Sequence, residues 1–142
     1  MADALYSAAI LRLKLAGEGA HRLAAPDGTA SRVSPVCGSK VIADVEAPDG
    51  RIAALALDAS KACTLGQASA AVVAERGIGM DAGALSETRA ALADFLASRR
   101  DEAPAGWAMF APARGHRARH PSILLPLDAV LAALAAAGQA AA

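Results

Sequence analysis

Apolar positions along the chain follow two rhythms, one of helices and one of strands. Tyr6, Ile10 and Leu13 fall at i, i+4 and i+7, which lines one helix face. A helix is therefore predicted from Asp3 to about Ala16, stopped by Gly17 and Gly19. Two turn sequences follow, Ala25-Pro26-Asp27-Gly28 and Ala47-Pro48-Asp49-Gly50, in which Pro presets the first turn angle and Gly accepts a positive φ. Thr29–Val36 and Lys40–Glu46 lie between them as strands, the second with Val41, Ala43 and Val45 on one face. Arg51–Leu57 reads as a third strand. Such short connections exclude parallel crossovers, so the three strands form an antiparallel meander.

From Lys61 onward the period changes to that of helices. Cys63 to Glu75 is an Ala-rich helix with Leu65, Val72 and Val73, closed by Gly77-Ile78-Gly79. Asp81 is the N-cap expected for the next one. Its buried stripe is Leu85, Leu92, Phe95 and Leu96, and Arg99-Arg100 suit its negative C-terminal end. Asp101 to Gly115 is a Pro- and Ala-rich loop with one helical turn at Trp107–Phe110. The last helix starts at Ser122 or Leu127 and runs toward Ala137, because Pro126 fits a first turn better than an interior. The fold class expected is α+β, a meander packed against helices. Residues 1–137 form one domain and 138–142 a frayed tail.

Composition supports a single small core. Hydrophobic residues make up 55% of the 142, but 41 of them are Ala and only 30 are Leu, Ile, Val or Phe. Two domains would be starved of large side chains. The 14 basic and 14 acidic residues cancel, and there are four aromatics, so neither counterion release nor base stacking supports a nucleic-acid binder. The longest unbroken apolar run, Ala129 to Ala137, is nine residues, against about 20 for a membrane span. Asp3, Arg12 and Lys14 break the charge-then-apolar order of a signal peptide. A cytoplasmic protein without membrane attachment is expected.

The chemistry concentrates at two cysteines. Cys37 lies in Ser34-Pro35-Val36-Cys37-Gly38-Ser39, at the bend between the first two strands. A cysteine is ordinarily a small packed residue, but a bend containing Pro and Gly gives it little to pack against. Cys63 sits where the third strand gives way to a helix, and a helix N-terminus favours the thiolate. The spacing excludes a zinc finger or a CxxC redox motif. A meander brings the first bend and the end of the third strand to the same end of the sheet, so both thiols converge there. His116 and His120 are the remaining candidates for a metal, although Arg114-Gly115-His116-Arg117-Ala118-Arg119-His120 reads first as a solvated loop. His21 is expected at the surface. No Gly-rich phosphate loop is present, and Ser122 with His120 lacks the third group and elbow of a hydrolase.

These segments resemble the iron–sulfur cluster scaffold family that contains the NifU N-terminal domain, IscU and SufU. Leu5-Tyr6 with Ile10-Leu11 is similar to the family's opening helix, and Ser34–Ser39 to its Pro-x-Cys-Gly-Asp loop. Cys63-Thr64-Leu65-Gly66-Gln67-Ala68-Ser69-Ala70 resembles the stretch Cys-Ala-Ile-Ser-x-Ala-Ser-Ala, the most specific match. Arg119-His120-Pro121-Ser122-Ile123-Leu124-Leu125 looks like the segment that carries the family's third Cys. The likeness spans about residues 5 to 134. Four departures stand out. Ser39 replaces the family's Asp, Pro121 or Ser122 replaces the third Cys, Leu13-Lys14-Leu15-Ala16 runs where the family has His-x-x-x-Pro-Arg-Asn, and the Leu-Pro-Pro-Val-Lys chaperone motif is absent.

The resemblance implies a scaffold or carrier rather than an enzyme. It implies sulfur taken from a cysteine desulfurase, and a labile [2Fe–2S] cluster or iron held on Cys37 and Cys63, with His120 as a third ligand. Delivery would be to recipient apo iron–sulfur proteins, and a homodimer would supply missing ligands. Ser39, Pro121 and Ser122 are the degenerate ligand positions. Two alternatives stand beside it. One is a zinc-containing sulfurtransferase-type partner of a desulfurase, with Cys63 as persulfide acceptor; the other is a metal-free interaction protein that keeps the fold.

Overall fold

The computed structural model describes residues 5–18 and 21–141. The predicted helix start at Asp3 and the stop at Gly19 lie outside the described residues. Helix α1 spans Ala8–Ala16, and Ser7 Oγ accepts the Ile10 amide as its cap. Strands β1 (Gly28–Val33), β2 (Lys40–Glu46) and β3 (Ala54–Lys61) form one sheet in the order β1-β2-β3, with both pairs antiparallel. The predicted α+β meander is present.

Both ends of β1 and of β3 differ from the sequence reading: β1 starts one residue earlier, at Gly28, β3 runs on to Lys61 rather than stopping at Leu57, and the other two ends differ for a visible reason. β1 ends at Val33 rather than Val36, because Ser34 N–H donates to Ser39 O and Gly38 N–H to Ser34 O, both at 2.8 Å. Those bonds fold residues 34–38 into a tight loop, with Gly38 at φ +73. β3 begins at Ala54 rather than Arg51. Ile52 is drawn out of the ladder by Gly79 and Met80: it donates to Met80 O at 2.9 Å and accepts from Gly79 N–H at 2.8 Å. Its side chain is buried in the core.

Helix α2 (Thr64–Arg76) starts with Cys63 as its N-cap residue, and α3 (Ala82–Leu96) is capped by Asp81, whose Oδ1 accepts the Ala84 amide at 2.9 Å. A 3₁₀ segment, Ala108–Gly115, fills most of the predicted loop, and a shorter one, Arg117–Arg119, leads into α4 (His120–Ala141). Helix α4 thus starts before Ser122 and contains Pro126. Pro126 lacks the N–H that would bond the carbonyl four residues back, that of Ser122. The next carbonyl, Ile123 O, accepts from Ser69 Oγ of α2 at 2.6 Å. A bond between helices thus ties the same turn of α4 to α2.

Helix α4 covers β1 and β2 and is flanked by α2 and α3. Within Arg117–Gly138 an 18-residue window has a mean hydropathy of 1.7, long and apolar enough to cross a membrane, yet more than half of that window is buried inside the domain. Ile123, Leu127, Ala129, Val130 and Ala133 are core residues. A second anchor has no signature in the sequence. Asp44 on β2 is fully buried and accepts from Arg22 Nε at 2.6 Å, Thr29 Oγ1 at 2.6 Å and Leu23 N–H at 3.1 Å. Burial raises its pKa, but Arg22, Thr29 and Leu23 together hold the carboxyl below its ordinary value. This carboxylate fastens the segment after α1 to the sheet.

The closest approach of α4 to the sheet is at Gly28. A methyl group there would overlap the Ala133 carbonyl oxygen and stand 2.6 Å from the Ala137 amide nitrogen. Gly28→Ala should therefore destabilise the domain by about 1–3 kcal/mol, the usual cost of forcing atoms into a packed interior. Urea unfolding checks this, and a variant as stable as the parent would show that α4 is free to shift.

Candidate functional site

The loop 34–38 and the start of α2 come together at the Ser39 side chain. Ser39 Oγ lies 3.1 Å from Cys37 Sγ and accepts the Cys63 amide at 3.1 Å. A hydroxyl has one proton and two lone pairs. With a lone pair given to Cys63 N–H, the Ser39 proton is free to point at a Cys37 thiolate. From the opposite side Ser122, in the first turn of α4, brings its Oγ to 2.8 Å from Cys37 Sγ. Cys63 lies against the same turn, since a Cβ added to Gly66 would meet both Cys63 Sγ and Ser122 O within 4 Å. A third hydroxyl, Ser34 Oγ, is buried, has no hydrogen-bond partner of ordinary geometry among the described residues, and faces the Cys37 sulfur.

These hydroxyls set the acidity of Cys37. Partial burial works against ionisation, but hydrogen bonds from Ser122 and then Ser39 outweigh it and lower the thiol from 9.0 to about 6. Cys37 is also the more exposed of the two free cysteines, whereas Cys63 is partly buried. At neutral pH Cys37 is thus largely an accessible thiolate, the nucleophilic form.

The other expected site residues separate into two groups. The structure places Ser122, not Pro121, beside Cys37. Pro121 and His120 turn to the other side of the α4 start, where His120 Nε2 lies 2.8 Å from Ala113 O. His116 is exposed, and His21 is exposed with its Nε2 3.2 Å from Glu18 O. Among the described residues, no three His, Cys, Asp or Glu side chains gather in a group able to hold a metal ion. The donors in reach of one another are two sulfurs and neutral hydroxyls, and a soft metal ion gains little from a neutral hydroxyl.

Sequence reasoning passed over a buried strut behind the site. Trp107 Nε1 donates to Ser69 Oγ at 3.1 Å, and Ser69 Oγ donates to Ile123 O, next to Ser122. A lone Trp with an N–H to satisfy was the available signal. A cavity of about 660 Å³ between α1, α2 and β3 lies away from this chemistry and includes neither cysteine.

An α+β domain with two convergent cysteines at the end of a three-stranded meander is a defined class, and comparison with solved structures places the chain within it. The domain matches the N-terminal part of a nitrogen-fixing NifU-like protein from Brucella abortus at a TM-score of 0.88, with 35% identity over 97% of each chain. The chain belongs to the family of NifU-like N-terminal domains. The fold is also that of a putative iron–sulfur cluster assembly scaffold protein for the SUF system from Fervidobacterium islandicum AW-1, with a TM-score of 0.82, 17% identity, and coverage of 94% of this chain and 99% of that one. No protein-family model matches the chain, and no curated protein does.

The acidity of Cys37 predicts a pH profile. The rate of alkylation by iodoacetamide follows the thiolate fraction, so it should rise through a midpoint of about 6 and level off near neutrality. Ser122→Ala should move the midpoint upward most, and Ser39→Ala should do so to a smaller extent. A midpoint of an ordinary thiol in the parent would remove the hydroxyls from any role in ionisation.

Proposed function

We propose that this chain is an iron–sulfur cluster assembly scaffold-like protein that accepts sulfur on Cys37, holds sulfur or iron between Cys37 and Cys63, and passes it to apo iron–sulfur proteins. The observation that carries this reading is the meeting of both cysteines at Ser39, with Cys37 exposed and within reach of the Ser39 and Ser122 hydroxyls. The family membership and the scaffold description of the Fervidobacterium protein support it.

The sulfur step needs no oxidant. The Cys37 thiolate attacks the outer sulfur of a persulfide on a cysteine desulfurase. A new S–S bond forms to Cys37 as the donor's S–S bond breaks, and the donor cysteine leaves as a thiolate. Exposure and hydroxyl donors favour Cys37 for this attack, and Cys63 stands beside it as the second thiol. Iron or a nascent [2Fe–2S] cluster is cargo here. The chain supplies two of the four cysteines such a cluster takes, so a second copy would complete the set, and binding to a single copy is weak. Both thiols stay reduced in a cytoplasmic setting.

Anaerobic reconstitution with ferrous iron and sulfide, followed by iron analysis and absorption spectroscopy, tests the scaffold reading. A chromophore with bound iron that disappears in Cys37→Ala and in Cys63→Ala is the expected result. A parent that takes neither iron nor, after incubation with a desulfurase and cysteine, any sulfur on Cys37 would sink it. Stoichiometric zinc in the purified protein would instead support the sulfurtransferase reading.

The replaced ligand positions give a sharper prediction. Ser39→Asp with Ser122→Cys restores a carboxylate and a third thiolate beside the two cysteines. Even an outer-shell partner changes metal affinity roughly 10–100-fold, so affinity for zinc should rise by at least about tenfold. Pro121→Cys, whose side chain belongs to the other face, should gain far less. Equal gains from Ser122→Cys and Pro121→Cys in a zinc titration would refute the placement of Ser122 as the ligand position.

A further inference from the structure

The strongest departure from charge balance surrounds the start of α4. Residues 99–120 carry five arginines against Asp101 and Glu102, a surplus of three, while the rest of the chain carries nine basic residues against twelve acidic ones. The surplus borders a groove of about 530 Å³ between the end of α3 and the start of α4. Leu96, Pro121 and Leu124 line its apolar side, and Arg99, Arg114 and Arg117 its charged side.

Most of that charge is left without a counterion. Arg99 pairs with Asp94 at 3.0 Å. Arg114 is fixed by uncharged partners: Nε donates to Phe95 O at 2.8 Å, Nη2 to Arg100 O at 2.9 Å, and the guanidinium lies 4.6 Å from the centre of the Phe95 ring. Carbonyls and a ring orient this cation without cancelling it. Arg100, Arg117 and Arg119 are exposed and make no ion pair with a described residue. A pre-ordered guanidinium loses less freedom on meeting a carboxylate than a mobile one.

We infer that this groove docks an acidic segment of a partner protein, one that carries a leucine-like side chain among its carboxylates. The cations select acidic residues, and the apolar side takes the hydrophobic one, a combination that a phosphate backbone does not offer. Asp94, Asp101 and Glu102 interrupt the patch, which suits short carboxylates more than a continuous polyanion. Pro121 lines the groove while the adjacent Ser122 touches Cys37, so a docked partner stands one residue away from the thiolate. The inference goes beyond the cargo reading, because the groove contains neither cysteine.

The test uses the full chain with Cys37→Ser and Cys63→Ser, so that binding is read whether or not those thiols carry sulfur or iron. The probe is a short fluorescein-labelled peptide of Asp, Glu and Leu, followed by anisotropy at low and at physiological salt. Binding should weaken about tenfold in Arg117→Glu/Arg119→Glu and again as salt is raised. A reversal elsewhere on the surface, Arg12→Glu/Arg32→Glu, should change it by less than about twofold. Circular dichroism confirms that each variant is folded, which the exposure of all four positions favours. Equal binding by both reversals, equal binding of a peptide without Leu, or tighter binding of a single-stranded oligonucleotide would each overturn the proposal.

Discussion

Helix α4 lies on the sheet as closely as it does only because Gly28 has no side chain and Ala133 and Ala137 have almost none. The chain has few large apolar residues, and a thin core gains its dispersion energy from close approach rather than from bulk. That contact sits at one end of β1, and Ser122 sits at the other end of the same helix. The height of α4 above the sheet, fixed at Gly28, therefore sets whether Ser122 reaches Cys37. The strut from Trp107 through Ser69 to Ile123 O fixes the same turn from the other side. Packing at the far end and a hydrogen bond at the near end thus determine one sulfur–oxygen distance.

The site that results is organised by hydroxyls. A carboxylate at position 39 would repel a Cys37 thiolate and attract a cation to share. Ser39 does the reverse: it accepts the Cys63 amide and, from the thiol, the Cys37 S–H, and once Cys37 is ionised its own proton can turn to the sulfur. The loop and the helix start are locked together by the same atom that stabilises the anion. The lowered pKa of Cys37 follows from hydrogen bonds to its charged form, strong enough to exceed the opposing cost of burial. Such a site combines an exposed thiol flanked by hydroxyls with no carboxylate or histidine grouped beside the two sulfurs among the described residues.

The sequence was informative where a local signal and the tertiary structure agree. The alternation of Val41, Ala43 and Val45, the Pro48-Asp49-Gly50 turn and the Asp81 cap reappear as β2, the turn between β2 and β3, and the start of α3. Gly28 of the first Pro-Asp-Gly sequence, by contrast, is no positive-φ turn residue but the first residue of β1, paired with Val45 under α4. Boundaries failed where a distant partner decided them. Ile52 left the third strand because Gly79 and Met80 claim its backbone, and no local pattern announces that. Pro126 sits inside α4, where the turn before it is also tied to α2 through Ser69, a partner that a rule about isolated helices does not include. At the site, convergence of Cys37 and Cys63 followed from meander topology alone. The direction of each side chain did not, because Pro121 and Ser122 are neighbours and only the packing of α4 tells which one faces sulfur. Asp44 was missed for a related reason. An acidic residue in a strand reads as solvent-facing until Arg22, Leu23 and Thr29 close over it.

The first turn of α4 is therefore an element with two faces and a weakened backbone. Ser122 points to sulfur, while His120 and Pro121 face a positively charged groove. Pro126 withholds the N–H that Ser122 O would accept, while Ser69 Oγ ties the next carbonyl, Ile123 O, to α2. Neighbouring residues of one turn thus supply a hydroxyl to Cys37 on one side and the apolar wall of the groove on the other.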